Sequence, residues 1–303
     1  MNIVSAPGKD DRLTLDTSVN NVNPGVHVEE KVFLPTIRDA NDASSDPSPT
    51  GEQESPDVEW IGFSLDVRKA HKRIKVAVED QGLLLFAILG ELFFYKVCHF
   101  GGAFSAYWWA RVGALLIRLA HRLVYVCHTG FLYVDDFLWK FRKEAAPLLS
   151  VLVLALLVGV GCPLSWAKMR LAEVITWIGL TIQFHLGRWV LLEDKLLKVR
   201  VFLHQLASCH KHAERKSLEA GTGLLLWVSN IVPVLRPWLA EFFQALVSET
   251  GTLVSLGNLQ LAELLDSIND TCTVTLSLRS VPVHAGWRLL QVGNRRLASK
   301  KEA

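Results

Sequence analysis

Two adjacent aspartates, Asp135 and Asp136, interrupt the otherwise aromatic and aliphatic stretch GFLYVDDFLWKF, residues 130–141. Neighbouring carboxylates repel each other, and burying them is expensive unless a counter-charge compensates. A third acid, Asp66, ends the apolar strand pattern FSLD and precedes the basic run RKAHKRIK at 68–75. Three carboxylates at the ends of adjacent strands form an oxygen-rich site suited to Mg²⁺. Two ions bridged by such a site would activate an attacking hydroxyl and stabilise a leaving phosphate. That is the chemistry of nucleotidyl transfer, in which positioning and charge neutralisation supply most of the catalysis. Arg68, Lys69, Lys72 and Arg73 would add phosphate contacts. The plainer reading is a polar turn, because Asp-Asp is good hairpin-tip chemistry on its own.

The elements that must position these acids are carried by a chain of 303 residues, half of them apolar and a fifth charged. That length holds one large domain or two to three subdomains, and the composition excludes a chain disordered throughout. A formal net charge of +2 is too small to argue nucleic-acid binding by itself. Arg111, Arg118 and Arg122 recur at helical spacing, a stripe whose plain reading is a solvated face. Five cysteines, at 98, 127, 162, 209 and 272, show no paired spacing and follow no secretory signal, so an intracellular protein (nucleus or cytoplasm), not a secreted one, is expected. Three of them precede a histidine, yet no CxxC or HxxxH spacing supports zinc, and ordinary half-buried residues are favoured. The apolar run AAPLLSVLVLALLVGVG, 145–161, is at the lower edge of what spans a bilayer. Pro147 and Pro163 bracket it, and a buried helix is favoured over a membrane anchor.

Along the chain, RLTLDTSVNNVN reads as a short extended segment, and Pro35 precedes a possible helix start. Residues 40–58, rich in Ser, Pro and acids, read as a flexible loop. WIGFSLDV is a strand pattern, and LLLFAILGELFFYKV a hairpin turning near Gly90-Glu91. A helix carries the arginine stripe, and GFLYV–DD–FLWKF follows as strand, tight turn and strand. The apolar helix comes next, then EVITWIGLTIQFHLGRWVLL as a hairpin-like stretch turning near Gly187-Arg188. Helices over 193–208 and 216–246 end the legible part, with Pro233 and Pro237 splitting the second. This order is that of an α+β protein.

In these motifs the chain resembles the reverse transcriptases of retroelements, in the same order over roughly residues 9–245. YVDD (133–136) resembles the family's Tyr-x-Asp-Asp hairpin, and FSLDVRKAHKRIKV (63–76) the strand bearing its first catalytic aspartate, here Asp66. Residues 79–112 resemble the fingers hairpin followed by the nucleotide-pocket turn and helix, with Phe100, Gly101 and Ser105 matching the family's FG…S pattern. GCPLSWAKMRL resembles the segment whose lysine, here Lys168, lies near the incoming triphosphate. TWIGLTI (176–182), with Trp177, Ile178 and Gly179, resembles the primer-grip hairpin. RLTLDTSVNNVN resembles the fingers strand whose arginine, here Arg12, contacts the triphosphate, and residues 218–246 resemble the helical thumb. Two departures stand out. His71 occupies the place of the aromatic residue that usually gates against ribose, and Ala106 that of a proline.

The resemblance implies an α+β right-hand polymerase with fingers, palm (an antiparallel sheet backed by helices) and helical thumb. Its division would be 1–39 partial fingers, 40–58 flexible loop, 59–76 first palm segment, 77–99 fingers hairpin, 100–191 palm, 192–247 thumb-like helices and 248–303 a connection or tail. It implies an RNA-directed DNA polymerase in which Asp66, Asp135 and Asp136 hold two Mg²⁺ ions, with Mn²⁺ as a substitute. Lys168 would protonate the leaving pyrophosphate, and Arg12, His71, Phe100, Gly101, Ser105 and Tyr133 would line the nucleotide site. The expected partners are an RNA or DNA template with primer, and deoxynucleoside triphosphates. The chain reads as part of a retrotransposon polyprotein. Two other readings stay open on sequence: a catalytically dead or domesticated relic that at most binds nucleic acid, and a small membrane protein anchored by 145–161.

Overall fold

The computed structural model describes residues 2–6, 9–14, 22–37, 39–40, 58–229, 235–248, 252–256 and 260–270. The expected polar loop, Ala40 and Val58 excepted, Pro233 and residues 271–303 lie outside the described residues. Helix and sheet are mixed, as the α+β pattern requires, and the chain divides into two compact units. The first takes in Met1–Pro35 and Phe63–Leu171, the second Thr36–Gly62 and Ala172–Pro282.

In the first unit, β1 (Asn2–Ala6) and β2 (Lys9–Thr14) form an antiparallel pair, followed by a single helical turn, α1 (Val22–Gly25). The central sheet has four strands: β3 (Trp60–Asp66), β6 (Thr129–Tyr133), β7 (Asp136–Arg142) and β8 (Arg170–Ala172), in the order β6-β7-β3-β8. The two middle strands read as nearly continuous apolar runs because both of their faces are covered. Phe63 and Leu65 of β3 and Phe137, Leu138, Trp139 and Phe141 of β7 are all buried. Between β3 and β6, β4 (Leu85–Ile88) and β5 (Glu91–Phe94) form the expected hairpin. Its turn is Leu89-Gly90, one residue earlier than expected, and both residues have positive φ, as a two-residue turn between right-twisted strands demands.

Helix α2 (Ala103–Leu123) buries Ser105, Trp109, Gly113, Leu116 and Ala120, a stripe at near four-residue spacing. It packs on β6, and Gly113 sets the distance: a Cβ there would lie 2.7 Å from the Leu132 side chain. Arg111, Arg118 and Arg122 are exposed, so the arginine stripe is the solvated face. Arg111 faces Glu30 at 3.4 Å, and Arg118 donates to the Ala114 carbonyl one turn back.

Helix α3 (Ala146–Gly159) lies where the long apolar run was expected to form a buried helix, and it corrects that expectation in part. Ala146, Leu149, Val153 and Leu157 are buried, while Leu148, Val151 and Val158 on the other side are exposed. The helix packs on β7 and α2 with one face, so only half of its apolar surface finds a partner within this unit. No helix among the described residues is long and apolar enough to cross a membrane.

In the second unit, β9 (Val174–Trp177), β10 (Leu180–Gln183) and β11 (Arg188–Leu191) form a three-stranded antiparallel meander. The stretch whose pattern reads as one hairpin turning near Gly187-Arg188 therefore turns twice, and the earlier turn falls in the segment that resembles a primer-grip hairpin. The first turn is Ile178-Gly179, and Gly187, with φ 58, closes the 3₁₀ turn before β11. Helices α4 (Glu193–Ser208), α5 (Arg215–Ser229), α6 (Arg236–Ser248) and α7 (Leu261–Asp270), with the short strands β12 (His212–Glu214) and β13 (Leu253–Ser255), complete or flank this unit's core. Leu203 and Leu206 of α4, Leu218 and Leu225 of α5, Phe242 of α6 and Leu264 of α7 are buried.

Candidate active site

The β6–β7 hairpin is short because its register is fixed by apolar pairs, Phe131 opposite Leu138 and Leu132 opposite Phe137. That register closes the ladder on Tyr133 opposite Asp136 and leaves Val134 and Asp135 as the two turn residues. The expectation that Asp135 and Asp136 together form the turn is thus off by one: Asp136 opens the return strand. Val134 has φ 53, a left-handed conformation that β-branched residues rarely adopt.

Backbone hydrogen bonds tie the ends of β3 and β7 and the 163–168 segment together. The Val67 N–H donates to the Asp135 carbonyl at 2.8 Å, the Arg68 N–H to the Pro163 carbonyl at 2.8 Å, and the Ser165 N–H to the Asp66 carbonyl at 2.8 Å. Lys168 ends the 3₁₀ turn Trp166–Lys168 just beyond. The three carboxylates converge: Asp66, Asp135 and Asp136 each offer an oxygen, all within 4.8 Å of one another. Asp66 is 7% exposed, and Lys168 Nζ donates to its Oδ2 at 2.5 Å.

The electrostatics follow from this crowding. Burial pushes the Asp135 carboxyl above its ordinary range, and Asp66 adds to the shift while Lys168 and His71 oppose it. Burial, then the charges of Asp135 and Asp66, push Asp136 up to about 6. The hydrogen bond to Asp66 holds the Lys168 ammonium above its usual value, against a smaller desolvation effect. Three hard oxygen donors that resist sharing negative charge, beside one lysine, fit a divalent oxygen-seeking cation such as Mg²⁺ or Mn²⁺. Among the described residues this is the one group of three acids, histidines or cysteines placed to hold a metal. The Cys-His dipeptides form no such group: His99 is buried against the Tyr95 ring at 4.7 Å, and Cys209 is exposed.

Of the other residues singled out from sequence, His71 lies beside the acids. Its ring meets Phe100 edge-on at 5.3 Å, and burial lowers its pKa while Asp135 pulls the other way. Phe100 is exposed, Gly101 has φ 103, and Ser105 is buried in the first turn of α2. Tyr133 closes β6 opposite Asp136. Arg12 stands in β2 opposite Val4, and its side chain lies outside the described part. Trp177, Ile178 and Gly179 belong to the second unit, where Trp177 is buried and a Cβ on Gly179 would lie 2.9 Å from Trp227.

Two residues that sequence reading passed over support this site. The Asn23 side chain reaches across 80 residues: its Nδ2 donates to the Gly101 carbonyl at 2.8 Å, and its Oδ1 accepts from the Ala103 N–H at 2.9 Å. It thereby caps α2, whose own N-cap, Gly102, has no side chain to offer. Trp109 of α2 donates its indole N–H to the Val134 carbonyl at 2.6 Å. The available signal was chemical: a tryptophan on a buried helix stripe needs an acceptor for its N–H.

No protein-family model matches the chain, and no curated protein matches it either. Among solved structures it is similar to foamy viral protease-reverse transcriptases. One, the dRH form in complex with ds DNA, gives a TM-score of 0.66 at 16% identity, over 91% of this chain and 44% of that one. The complex with RNA/DNA hybrid gives 0.61 at 15% identity, over 91% of this chain and 34% of the other. The dsDNA complex gives 0.61 at 15% identity, over 91% and 52%. The chain therefore spans about a third to a half of the length of the proteins it matches. What this likeness establishes is the class: a reverse transcriptase-like fold.

Proposed function

We propose that this chain is an RNA-directed DNA polymerase that extends a primer by two-metal nucleotidyl transfer. The observation that carries the reading is the convergence of Asp66, Asp135 and Asp136 within 4.8 Å at one end of the central sheet, with Lys168 bonded to Asp66. When bound, two Mg²⁺ ions would activate the primer hydroxyl and neutralise charge on the triphosphate. Asp66, Asp135 and Asp136 would hold the ions, with Asp136 the more dispensable. Lys168 is an ammonium at neutral pH and would donate its proton to the leaving pyrophosphate once it lets go of Asp66, whose hydrogen bond holds its pKa up and makes it a weaker acid. The His71–Phe100 ring pair forms the wall of the nucleotide site next to Asp135. Exposed Arg68, Lys69 and Arg73, with Lys72, contact phosphates.

In this reading residues 59–76 and 100–191 form the palm, 1–39 part of the fingers, 77–99 the fingers hairpin, and the helices of 192–247 the thumb. The β9–β10 turn, Trp177 to Gly179, grips the primer. Complexes of the foamy viral enzymes with dsDNA and with RNA/DNA hybrid support a template–primer duplex as partner. Primer extension on an RNA template with deoxynucleoside triphosphates and Mg²⁺ or Mn²⁺ tests the proposal. Wild type is expected to extend the primer, and Asp135→Asn to lose at least about a hundredfold in rate. A wild type that incorporates no more than this control leaves a nucleic-acid-binding relic as the surviving reading.

A further inference from the structure

We infer that Trp109 is a positioning residue for Asp135: its indole N–H grips the Val134 carbonyl and keeps the turn that presents the carboxylate in a shape its own residues disfavour. This deepens the polymerase reading and rests on it for its activity arm.

Four observations carry it. The bond is short, 2.6 Å, and Trp109 is 3% exposed, so no water competes for the indole N–H. Val134, the residue held, is β-branched and has φ 53, in the left-handed region where glycine or asparagine is at ease. The next peptide is gripped from the other side, where the Asp135 carbonyl accepts the Val67 N–H at 2.8 Å. The two bonds hold successive carbonyls of a two-residue turn, and so fix the path of the backbone on both sides of the Asp135 Cα.

The helix that brings the indole is itself fixed to the strand it serves. Four residues after Trp109, Gly113 lets α2 close on Leu132, where a Cβ would come within 2.7 Å. Two turns further, His121 Nε2 lies 3.2 Å from the Gly130 carbonyl. Helix α2 therefore tracks β6 at three levels, 121 with 130, 113 with 132 and 109 with 134, and the turn is the last of them. An apolar ring would fill the space beneath the turn equally well. The indole fills it and also presents a donor to the carbonyl, which phenylalanine would not.

The consequence is a coupling between a buried ring and the orientation of a carboxylate that the ring does not touch. Without the indole bond, Val134 relaxes toward negative φ and swings Asp135 out of register with Asp66 and Asp136. Small displacements of a reacting constellation cost up to roughly a hundredfold in rate.

The test replaces Trp109 with phenylalanine and, to keep the bicyclic shape, with β-(3-benzothienyl)alanine, in which sulfur replaces the N–H. Both are made in the wild-type and the Val134→Gly backgrounds. In wild type each should lower kcat by roughly 10- to 100-fold, with KM for the nucleotide nearly unchanged and unfolding still cooperative. In Val134→Gly, where positive φ is unstrained, the loss should shrink to a few-fold. A benzothienylalanine variant with wild-type kcat overturns the inference, as does a loss of equal size in both backgrounds. The three-bond HN–Hα coupling of Val134, measured by NMR, reads the turn without any activity. It should move toward extended values in the benzothienylalanine variant, and an unchanged coupling overturns the inference. A wild-type chain that extends no primer defeats the polymerase reading instead, and the NMR arm still decides the role of Trp109.

Discussion

At the scale of single residues, the acids set a pH dependence that can be measured without turnover. Asp136 titrates at about 6 because burial and its two acidic neighbours disfavour its charge. A divalent cation must displace that proton, so Mn²⁺ affinity should weaken as pH falls through about 6. Asp136→Asn should flatten this profile while lowering affinity, as titration calorimetry at several pH values would show. Lys168 entered only through the family resemblance, whereas the three acids were legible in sequence because each sits beside an apolar strand pattern. Trp109 and Asn23 were not, since their partners, Val134 and Gly101, lie 25 and 78 residues away and no spacing encodes such a bond. Asn23 also precedes Pro24 and Gly25, a grouping that reads as an ordinary turn.

At the scale of elements, α2 depends on a cap from a distant segment. Asn23→Ala should cost about 1 kcal/mol in urea unfolding, the usual range for a lost cap, and Asn23→Asp, which keeps an oxygen for the Ala103 N–H, should lose less. Gly179 should tolerate no side chain. It has φ 85, and a Cβ would press on Trp227, so Gly179→Ala should destabilise by about 1–3 kcal/mol. Strands and helices were legible wherever apolar periodicity was clean, as in β3, α2 and α4. Two boundaries were not. Asp-Asp looks like a turn on composition, but the pairing of Phe131 with Leu138 and Leu132 with Phe137 decides the register and draws Asp136 into the strand. In the 174–191 stretch the residue pattern alone hid the turn at 178–179, which only the resemblance to a primer-grip hairpin supplied, because Ile178, an apolar residue with φ 43, takes a place where polar turn residues are expected. In α3, uniform apolarity gave no periodicity from which to tell the packed face from the exposed one.

At the scale of the whole molecule, two buried sites bias stability against pH in opposite directions. His121 and His128 stack at 4.9 Å, with Nδ1 of the first 2.8 Å from Nε2 of the second, and the outer nitrogens face the Gly130 and Val126 carbonyls. Two neutral rings hold two protons for these three contacts, yet burial keeps His121 at about 4. Its folded pKa lies below the unfolded 6.5, so stability is lost as pH falls from 6.5 towards 4, on the order of 2 kcal/mol by pH 5. Asp136 acts oppositely. Its folded pKa lies above the unfolded 3.8, so the metal-free protein gains stability as pH falls from about 6 towards 4. Denaturant melts of the metal-free chain at pH 7 and pH 5 should therefore show partial cancellation. His121→Phe should reduce the loss on acidification, and His71, His99 and His128, whose pKa values burial also lowers, should keep part of it. Binding of a primer duplex, which runs through Lys and Arg contacts to phosphates in the proposed function, should weaken steeply with added salt.

Gly130 and Trp139 face each other across the β6–β7 ladder, and a Cβ on Gly130 would fall 2.3 Å from the indole ring. That ring in turn leans on His121, His128 and Phe141. Neither position is free to drift alone. A lineage that acquires even alanine at 130 must shrink the ring at 139 and then refill the space beside both histidines. Among relatives sharing this hairpin, the two columns should therefore change together, small with large, as a historical trace of one steric contact in the ladder that carries Asp135.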